Sequence, residues 1–532
     1  MLATAARNAT ALVPLLALTA CGGGGGGYPS GGSPTITQTS FSVGGTVTGL
    51  EASGLELLDN GGDALPVEAN GTFFFPTAVL NGGGYSVSIG TQPNVGPLQI
   101  CTVTNGDGSV ASASVTDITV NCVTKTAKFL YVTNQTANDV SAYTIDASTG
   151  TLAAVAGSPF ATEPTPRFVM AEPSGHYLYV TTLGSSTNPP RISGYSLNGT
   201  TGALAELSDS PFELSASPPA PNAAFVTLPG LHPSGTLGYL SVWTSPLPGT
   251  ATLYGAAING ASGDLSEIAG MPKAVGSTSQ PPFFDATGDH MYLATNASPG
   301  AGGEILSFAV TTPSGVLTPI GTPAQTGGVA PLAQLTPDGK FVIAANGQSG
   351  TLSVFSVDSA GTLTAVGSPV PSGGPGGSGL GVFTYNRRLN VVYAPITTTP
   401  QPAIAAFAFN TTTGALTPLA GSPYSANGAA VFPWLHPGAK FLYQVNNSNG
   451  TLQRWSIDQT TGVPTLVGDV TTPADVPFIL IPDPSGHYVY VTSTAGGNVS
   501  SYSVNQTTGA LTLVNTLVSG AGAYLPAPVG LQ

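Results

Sequence analysis

The stretch "FNTTTGALTPLAGSPYS", Phe409 to Ser425, recurs in close copies seven more times in the last three-quarters of this 532-residue chain. Every copy keeps a glycine at the Thr-Gly-Ala-Leu position or its variants, and the mean distance between these glycines is roughly 51 residues. A period of this length indicates one folding unit repeated along the chain. The eight glycines are Gly150, Gly202, Gly263, Gly315, Gly361, Gly414, Gly462 and Gly509.

A strand of constant pattern precedes each glycine, as in "VSAYTID", "ISGYSLN" and "LSVFSVD". Small residues alternate with a larger one at its fourth position, which is typical of sheets that pack face to face. We predict that the residues at this position fill the core. They are Tyr143, Tyr195, Ala256, Phe308, Phe355, Phe407, Trp455 and Tyr502.

A second constant strand lies earlier in each unit, as in "FLYVTN" and "YLYVTT", and a tight turn such as Pro173–His176 can precede it. Each unit therefore has four antiparallel strands, here called inner, second, third and outer. Such units repeated around an axis form a β-propeller. The count of second strands predicts eight blades, or seven if one unit is irregular. The final "YLPAPVGLQ" is expected to supply the inner strand of the first blade and close the ring.

Composition agrees with an all-β protein. Gly 71 and Pro 47 suit many short strands joined by tight turns, and no long amphipathic helix is apparent. Disorder is the alternative interpretation of such a composition, but 41% hydrophobic residues in regularly spaced clusters favour packed sheets. With 11 basic and 25 acidic residues, and the basic ones scattered, the chain has no electrostatic footprint for nucleic acid.

The opening "MLATAARNATALVPLLALTACGGGGGG" combines one arginine, a short apolar run and the sequence Leu18-Thr19-Ala20-Cys21. This pattern predicts a signal peptide over residues 1–20 rather than a membrane span. Its last four residues resemble the bacterial lipobox, which implies lipidation of Cys21. The Gly/Ser/Pro-rich residues 21–40 would then form a flexible tether. An ordinary secretory signal with an incidental cysteine is the alternative.

That resemblance places the protein in the bacterial cell envelope, held at a membrane through lipid. We expect the protein to be a monomer. Residue 22 is Gly and not the Asp associated with inner-membrane retention, so the outer membrane is preferred over the inner one. No later segment approaches 18 continuous apolar residues.

Residues 41–123 alternate apolar and polar positions in short runs separated by turn signals such as Asn105–Gly108. We predict a small β-sandwich, which resembles the immunoglobulin-like modules of bacterial surface proteins. Cys101 and Cys122 lie on predicted strands of an exported protein, so a disulfide between them is expected, with a metal site as the alternative. The Asn-Gly-Asp-Gly run favours a hairpin turn over a calcium loop because the following ligands are missing.

The units "PSGHYLYVTT", "PDGKFVIAAN" and "TTGALTPLAGSP" resemble the lactonase-type seven-bladed propeller family, whose namesake is the bacterial 6-phosphogluconolactonase. The likeness covers residues 126–532 and rests on structural repeat motifs. It implies a propeller fold and hydrolysis of a lactone. No catalytic motif can be carried over residue by residue, and eight units differ from the seven of the family.

Chemistry is expected where the units differ. In an antiparallel blade the Pro-Ser-Gly and Thr-Gly-Ala-Leu turns share one end, the turn face, whereas the variable connections share the other end, the loop face. Arg167 begins an inner strand and could point into the channel mouth. A solvated or snorkelling charge is the alternative role for each charged candidate. The residues near the loop face are Asn134, Glu163, Arg167, Arg191, Glu304 and Asp475.

All five histidines, at positions 176, 232, 290, 436 and 487, fall on the turn face, so no histidine is available for a catalytic dyad on the loop face. The sequence indicates neither a metal site nor a cofactor. Two functions remain open. One is a lipid-anchored binding or scaffold protein whose loop face recognises a carbohydrate, a peptide or another envelope component. The other is a lactonase-like hydrolase acting on a sugar lactone, which would need an activated water and a group that stabilises the oxyanion.

Overall fold

The computed structural model describes residues 39–183, 189–214, 224–244, 249–298, 302–328, 331–374, 379–397, 402–428, 431–446, 449–472 and 477–531. These residues form strands and turns and contain no helix, so the predicted all-β class is confirmed. The predicted signal peptide, Cys21, nearly all of the tether and Asp475 lie outside the described residues. In the described ranges, no helical segment has the length and apolarity that a membrane crossing requires.

The N-terminal module consists of two four-stranded sheets and a small two-stranded ribbon. The first sheet contains, in spatial order, Gly71–Phe74, Val43–Thr48, Val115–Thr124 and Gln99–Thr104. The second contains Asp63–Val67, Leu55–Asp59, Gly84–Thr91 and Asp107–Ser109. The ribbon pairs Ser40–Phe41 with Val79–Leu80. Alternate residues of the strands bury one apolar core, as the period-2 pattern predicts.

A disulfide joins Cys101 and Cys122, which are directly opposite each other on neighbouring strands of the first sheet. Both cysteines are buried within the core of the module. The bridge therefore fastens one sheet, and it does not connect the two sheets to each other.

Residues 127–531 form eight antiparallel sheets, which correspond to the eight predicted blades. The inner strands are Ala523–Leu531, Pro166–Ala171, Ala224–Val226 with Gly230–Leu231, Thr278–Ser279 with Phe283–Phe284, Pro331–Leu335, Thr384–Asn386, Val431–Leu435 and Pro477–Pro482. The second strands are Ala127–Asn134, Tyr177–Thr182, Leu237–Thr244, His290–Asn296, Phe341–Asn346, Val391–Ile396, Phe441–Asn446 and Tyr488–Ser493. The third strands are Asp139–Ile145, Arg191–Leu197, Ala251–Ile258, Gly303–Thr311, Thr351–Val357, Ala403–Phe409, Thr451–Ile457 and Asn498–Val504.

The outer strands are broken into two short segments in blades 1 to 6 and continuous in blades 7 and 8. In the first six blades a proline interrupts the edge, as at Pro159 and Pro423, because it has no N–H to donate to the ladder. The segments are Leu152–Ala154 with Phe160–Ala161, Leu204–Glu206 with Phe212–Glu213, Leu265–Glu267 with Lys273–Gly276, Val316–Pro319 with Ala324–Gln325, Leu363–Ala365 with Val370–Pro371, Leu416–Pro418 with Tyr424–Ser425, Pro464–Thr471 and Leu511–Val518.

The ring closes through the last strand of the chain. Ala523–Leu531 pairs antiparallel with Ala127–Asn134, so blade 1 combines both ends of the repeat array, as predicted. One apolar cluster fills each seam between consecutive blades, from Tyr131 against Leu178 in the first seam to Tyr490 against Tyr143 in the last. Eight seams for eight blades make a closed ring without a free inner edge.

The seven aromatic residues of the third strands are buried in these seams, which confirms the predicted core column. Each packs against the preceding blade, as Phe407 does in the cluster that contains Ile343 of blade 5. The repeated glycine has a positive φ in every blade, 72° at Gly150 and 75° at Gly414, because the hairpin turn requires the left-handed conformation.

The sandwich contacts the turn face of the propeller. The amide of Leu98 donates to the carbonyl oxygen of Pro484 in the turn of blade 8 at 2.9 Å. On another part of the same face, Asn94 and Val95 line a cavity of about 230 Å³ together with turn residues of blades 5 and 6, among them Asp338 and Arg387. The loop that ends at Leu98 therefore reaches across part of the turn face.

Candidate functional site

Arg167 occupies a β-bulge at the loop-face end of the inner strand of blade 2. Pro166 is paired with Thr182 and Phe168 with Thr181, so Arg167 is the extra residue of the strand. A bulge bends the strand and redirects the extra side chain. The backbone just before it is also unusual, because the β-branched Thr165 has a φ of 59°. Such strain is concentrated at functional sites more often than elsewhere.

Equivalent bulges occur in the two preceding blades of the ring. Phe478 is the extra residue between Pro477 and Ile479 in blade 8. In blade 1 the register shifts between Ala523 and Pro526, the segment that contains Tyr524. When the strand pairings are aligned, Phe478, Tyr524 and Arg167 occupy the same position of three consecutive blades.

The three side chains form one stack. The ring centroids of Phe478 and Tyr524 are 4.4 Å apart, and the guanidinium carbon of Arg167 lies 4.4 Å from the Tyr524 centroid. Phe168 adds an edge-on contact to Tyr524 with centroids 6.1 Å apart. Arginine over an aromatic face is a favourable cation–π arrangement. We call Arg167, Phe168, Phe478 and Tyr524 the axial stack; all four side chains are partly exposed.

The charge of Arg167 is not neutralised by an ion pair with any described residue. Its backbone is held by the Thr133 hydroxyl, which donates to the Arg167 carbonyl at 3.0 Å. Burial raises the pKa of the Tyr524 phenol, and the nearby guanidinium partly offsets this effect. Tyr524 therefore stays neutral at physiological pH, and the stack presents a positive charge on an aromatic surface.

Two other predicted residues meet in an ion pair. Arg191 contacts Glu163 at 3.0 Å and Glu213 at 2.7 Å. The side chains of Arg191 and Glu163 are 24% and 27% exposed, so water screens the pair and its contribution to stability is small. Arg191 is therefore already partnered by two carboxylates, in contrast to Arg167.

Asn134 is fully buried at the end of its second strand. Its amide nitrogen donates to Asp139 at 2.6 Å and to Ser141 at 2.9 Å, and its oxygen accepts from Ser519 at 2.8 Å. Asn346 makes the same pair of donations in blade 5, to Thr351 and Ser353. This geometry favours a role in closing the blade over direct contact with a ligand. Glu304, also weighed from the sequence, is buried and accepts from Gln325 at 3.0 Å.

The histidines lie on the turn face, and two of them link neighbouring blades. His232 lies 3.0 Å from the Gly288 carbonyl oxygen, and His436 lies 2.7 Å from that of Gly486. Both carbonyls belong to the inner-strand turn of the next blade. Within the described residues there is no cluster of three or more histidine, cysteine or acidic side chains that could hold a metal ion.

Phe478 and Tyr524 are site residues that sequence reasoning missed. Their signal was present in the repeat, because "PRF", "PFI" and "AYL" open equivalent inner strands. It could be read only after the strand pairing had aligned the final segment with blade 2.

A family model described as "Lactonase, 7-bladed beta-propeller" matches residues 98–216, 239–379 and 404–524, whereas the structure has eight blades. No curated protein matches the chain.

Similar solved structures include three at low sequence identity. The periplasmic gluconolactonase PpgL of Pseudomonas aeruginosa is 13% identical, with a TM-score of 0.47 over 76% of this chain and 99% of that chain. Apo AztD from Citrobacter koseri is 14% identical, with a TM-score of 0.48 over 76% and 99%. The dihydro-heme d1 dehydrogenase NirN is 12% identical, with a TM-score of 0.50 over 76% and 76%. At these identities the likeness concerns the fold alone.

Proposed function

Because the chain belongs to the lactonase family of β-propellers, we propose that it binds a sugar lactone at the axial stack and hydrolyses the lactone ring. The observation that carries this proposal is Arg167, a cation that no described carboxylate neutralises and that rests on the aromatic face of Tyr524. An aromatic face suits the C–H surface of a sugar ring, and a guanidinium suits a carbonyl oxygen that becomes negative.

In the proposed reaction, water adds to the lactone carbonyl carbon and the ring C–O bond breaks. A proton passes to the departing alkoxide, and the products at neutral pH are a hydroxycarboxylate and one proton released to solvent. Arg167 would donate hydrogen bonds to the oxyanion of the tetrahedral intermediate. Glu163, which lies in the connection leading to the same strand and whose carboxylate is held by Arg191, is the candidate for activating the water.

Ring opening of five- and six-membered sugar lactones is measured by pH-stat, above the spontaneous rate, with the chain lacking residues 1–21. We expect Arg167→Ala to lower kcat/KM by about a hundredfold, the usual effect of losing one oxyanion donor. Arg167→Lys keeps the charge and should recover part of the loss. The exposed Arg388 of the turn face provides the matched control, Arg388→Ala, with activity within twofold of the parent.

A binding function is the second candidate, because the loop face has no histidine and an arginine with aromatic neighbours is typical of recognition sites. In this case calorimetry would detect binding of the lactone, of its hydroxy acid or of a carbohydrate, and Arg167→Ala would abolish it, while no lactone would be turned over. Turnover that persists unchanged in both Arg167→Ala and Glu163→Gln would exclude the axial stack as the site of either function.

We also propose that the protein is exported and lipidated at Cys21. The disulfide Cys101–Cys122 supports an oxidising compartment, and the lipobox-like sequence supports the anchor. The full chain should enter the detergent phase on phase separation, and Cys21→Ser should move it to the aqueous phase. An unchanged partition would rule out the anchor without affecting the assignment of the axial stack.

A further inference from the structure

Seven of the eight blades fill their seam with the same cross-strand pair. An aliphatic residue of the second strand lies directly opposite the aromatic residue of the third strand, and together they pack against the preceding blade. The pairs are Leu130–Tyr143, Leu178–Tyr195, Met291–Phe308, Val342–Phe355, Val392–Phe407, Leu442–Trp455 and Val489–Tyr502.

Blade 3 departs from this rule on both strands. The residues at the two equivalent positions are Gly238 and Ala256, which are paired with each other in the ladder. The large side chains are therefore missing on both sides of one cross-strand pair. A Cβ atom built at Gly238 would meet, among the described atoms, only Leu231 Cδ2 within 4 Å, at 3.3 Å. Leu231 is therefore the one described side chain that closely approaches this position.

A cavity of about 80 Å³ lies at this place, in the seam between blades 2 and 3. Gly238 and Ala256 both line it, and its walls are mostly apolar, with Ile192, Phe212 and Tyr254 among them. An engineered apolar cavity of roughly 150 Å³ binds benzene or xenon. The present cavity is smaller but partly open to solvent, so a ligand need not fit inside it completely.

One polar atom in this apolar wall has no partner among the described residues. The Thr181 side chain lines the cavity and is 1% exposed, and its hydroxyl oxygen makes no hydrogen bond to any of them. Buried hydroxyl groups are normally satisfied, so an unpaired one in a cavity wall points to a ligand atom or a water molecule. Thr181 can donate to or accept from such an atom.

The rim of the cavity is acidic. Glu213 and Glu267 line its exposed side, and Glu213 belongs to the ion-paired group with Arg191 and Glu163. An anionic ligand would be disfavoured there, whereas a neutral or cationic group would be tolerated.

From these observations we propose that the seam between blades 2 and 3 is a binding site for a small aryl or short alkyl group that carries a neutral or cationic polar atom. The apolar part occupies the space left by Gly238 and Ala256. The polar atom bonds to the Thr181 hydroxyl or extends toward the glutamates of the rim. This site is separate from the axial stack and does not depend on lactone hydrolysis.

The experiment uses benzyl alcohol and benzylamine as probes and benzoate as the anionic counterpart, with saturable binding followed by ligand-observed NMR. Ala256→Phe restores the aromatic residue found in the other blades, and we expect it to weaken binding of both uncharged and cationic probes at least tenfold. Thr181→Val removes the hydroxyl and should weaken the binding of benzyl alcohol about threefold to tenfold. Benzoate should bind more weakly than either probe.

Ser196→Ala, on the third strand of blade 2 outside the cavity lining, serves as the control and should leave binding unchanged. If Ala256→Phe does not fold, Gly238→Ala fills the same space with a single methyl group, and it should weaken binding by a smaller factor. Equal binding by the parent protein and a folded cavity-filling variant would overturn the proposal. So would the absence of saturable binding of benzyl alcohol and benzylamine to the parent.

Discussion

The Tyr131 hydroxyl of blade 1 donates a 2.7 Å hydrogen bond to the carbonyl oxygen of Gly202, the repeated glycine of blade 2. The same bond links Tyr179 to Gly263 and Tyr393 to Gly462, each time from one blade to the next. The residues that repeat in the sequence are therefore those that join the blades, and this explains their recurrence without assigning them any chemistry.

Removal of this hydroxyl should destabilise the ring. Tyr131→Phe leaves the Gly202 carbonyl buried without its donor, and we expect the free energy of unfolding to fall by about 1–3 kcal/mol. Urea unfolding followed by tryptophan fluorescence measures the change, since Trp243, Trp434 and Trp455 are all in the propeller. Tyr424→Phe, which removes an exposed bond to the Ala420 carbonyl, is the control and should cost less than about 0.5 kcal/mol. Equal losses in both variants would contradict a special role for the bond between blades.

The repeated glycine is required for two separable reasons, its φ angle and its lack of a side chain. Gly202 has a φ of 77°, and a Cβ atom there would lie 2.6 Å from Cδ1 of Phe129. Gly175 has a similar φ of 73° but no atom within 4 Å of its Cβ position. Gly175→Ala should therefore lower the free energy of unfolding by about 1–2 kcal/mol, because alanine is strained in the left-handed conformation. Gly202→Ala should lower it by about 1–3 kcal/mol more, because its methyl group also overlaps Phe129. Thermal unfolding of the two variants distinguishes backbone strain from steric overlap with Phe129. Similar losses of stability in both variants would mean that Phe129 moves aside.

The architecture could be predicted from the sequence because each blade repeats the same local sequence pattern. The period of the Gly414 turn predicted the blades, and the alternation around Phe407 predicted the face that packs against the neighbouring blade. Closure of the ring by the final segment followed from the strand missing in blade 1.

The candidate site was harder to predict from the sequence because it depends on contacts between residues that are distant in the chain. Arg167 was singled out from its strand, but Phe478 and Tyr524 reach it only through ring closure. Similarly, the pairing of Glu163 with Arg191 and the burial of Asn134 depend on side-chain positions that residue type does not determine. Ala256 was visible as an exception in the aromatic column, yet the cavity beside it also needed Gly238 as its cross-strand partner.

The disulfide should stabilise the sandwich and not the propeller. Cys101 and Cys122 are separated by 21 positions, and closing a loop of that size contributes about 3 kcal/mol to stability. We expect the double variant Cys101→Ala/Cys122→Ala to lose this amount in the N-terminal module, as measured by hydrogen exchange of its strands. Tryptophan fluorescence reports on the propeller alone, so its unfolding transition should stay in place. A matching shift of both signals would show that the two parts unfold as one unit.

Tyr524 should act on ligand binding by positioning Arg167. Tyr524→Leu removes the aromatic face under the guanidinium, and a cation–π contact of about 0.5–2 kcal/mol corresponds to a roughly twofold to thirtyfold weaker binding of a lactone or its hydroxy acid. Tyr524→Phe keeps the ring and should bind within about twofold of the parent. Calorimetric titration of both variants distinguishes the contributions of the ring and the hydroxyl. Loss of binding in Tyr524→Phe would assign the contact to the phenol group instead.

His436 should make the stability of the propeller depend on pH. Its Nδ1 accepts from the Gly438 amide at 3.0 Å and its Nε2 lies 2.7 Å from the Gly486 carbonyl oxygen, so the buried ring is neutral and carries its proton on Nε2. Burial lowers the pKa of His436 to about 4, with smaller contributions from His487 and Lys440. In the unfolded chain the same group titrates near its ordinary value of about 6.5.

Between these two pKa values the unfolded chain binds a proton that the folded protein does not, so acid favours unfolding. The stability contributed by neutral His436 is fully present above pH 6.5 and falls as the pH decreases toward 4, by up to roughly 3 kcal/mol. His436→Gln should be less stable than the parent at pH 7, because the contact with blade 8 is disturbed, but it should lose less stability between pH 6.5 and pH 4.5. Urea unfolding of both proteins across this range measures how steeply the free energy of unfolding changes with pH. Equal pH dependence in the two proteins would show that the imidazole takes up its proton without unfolding.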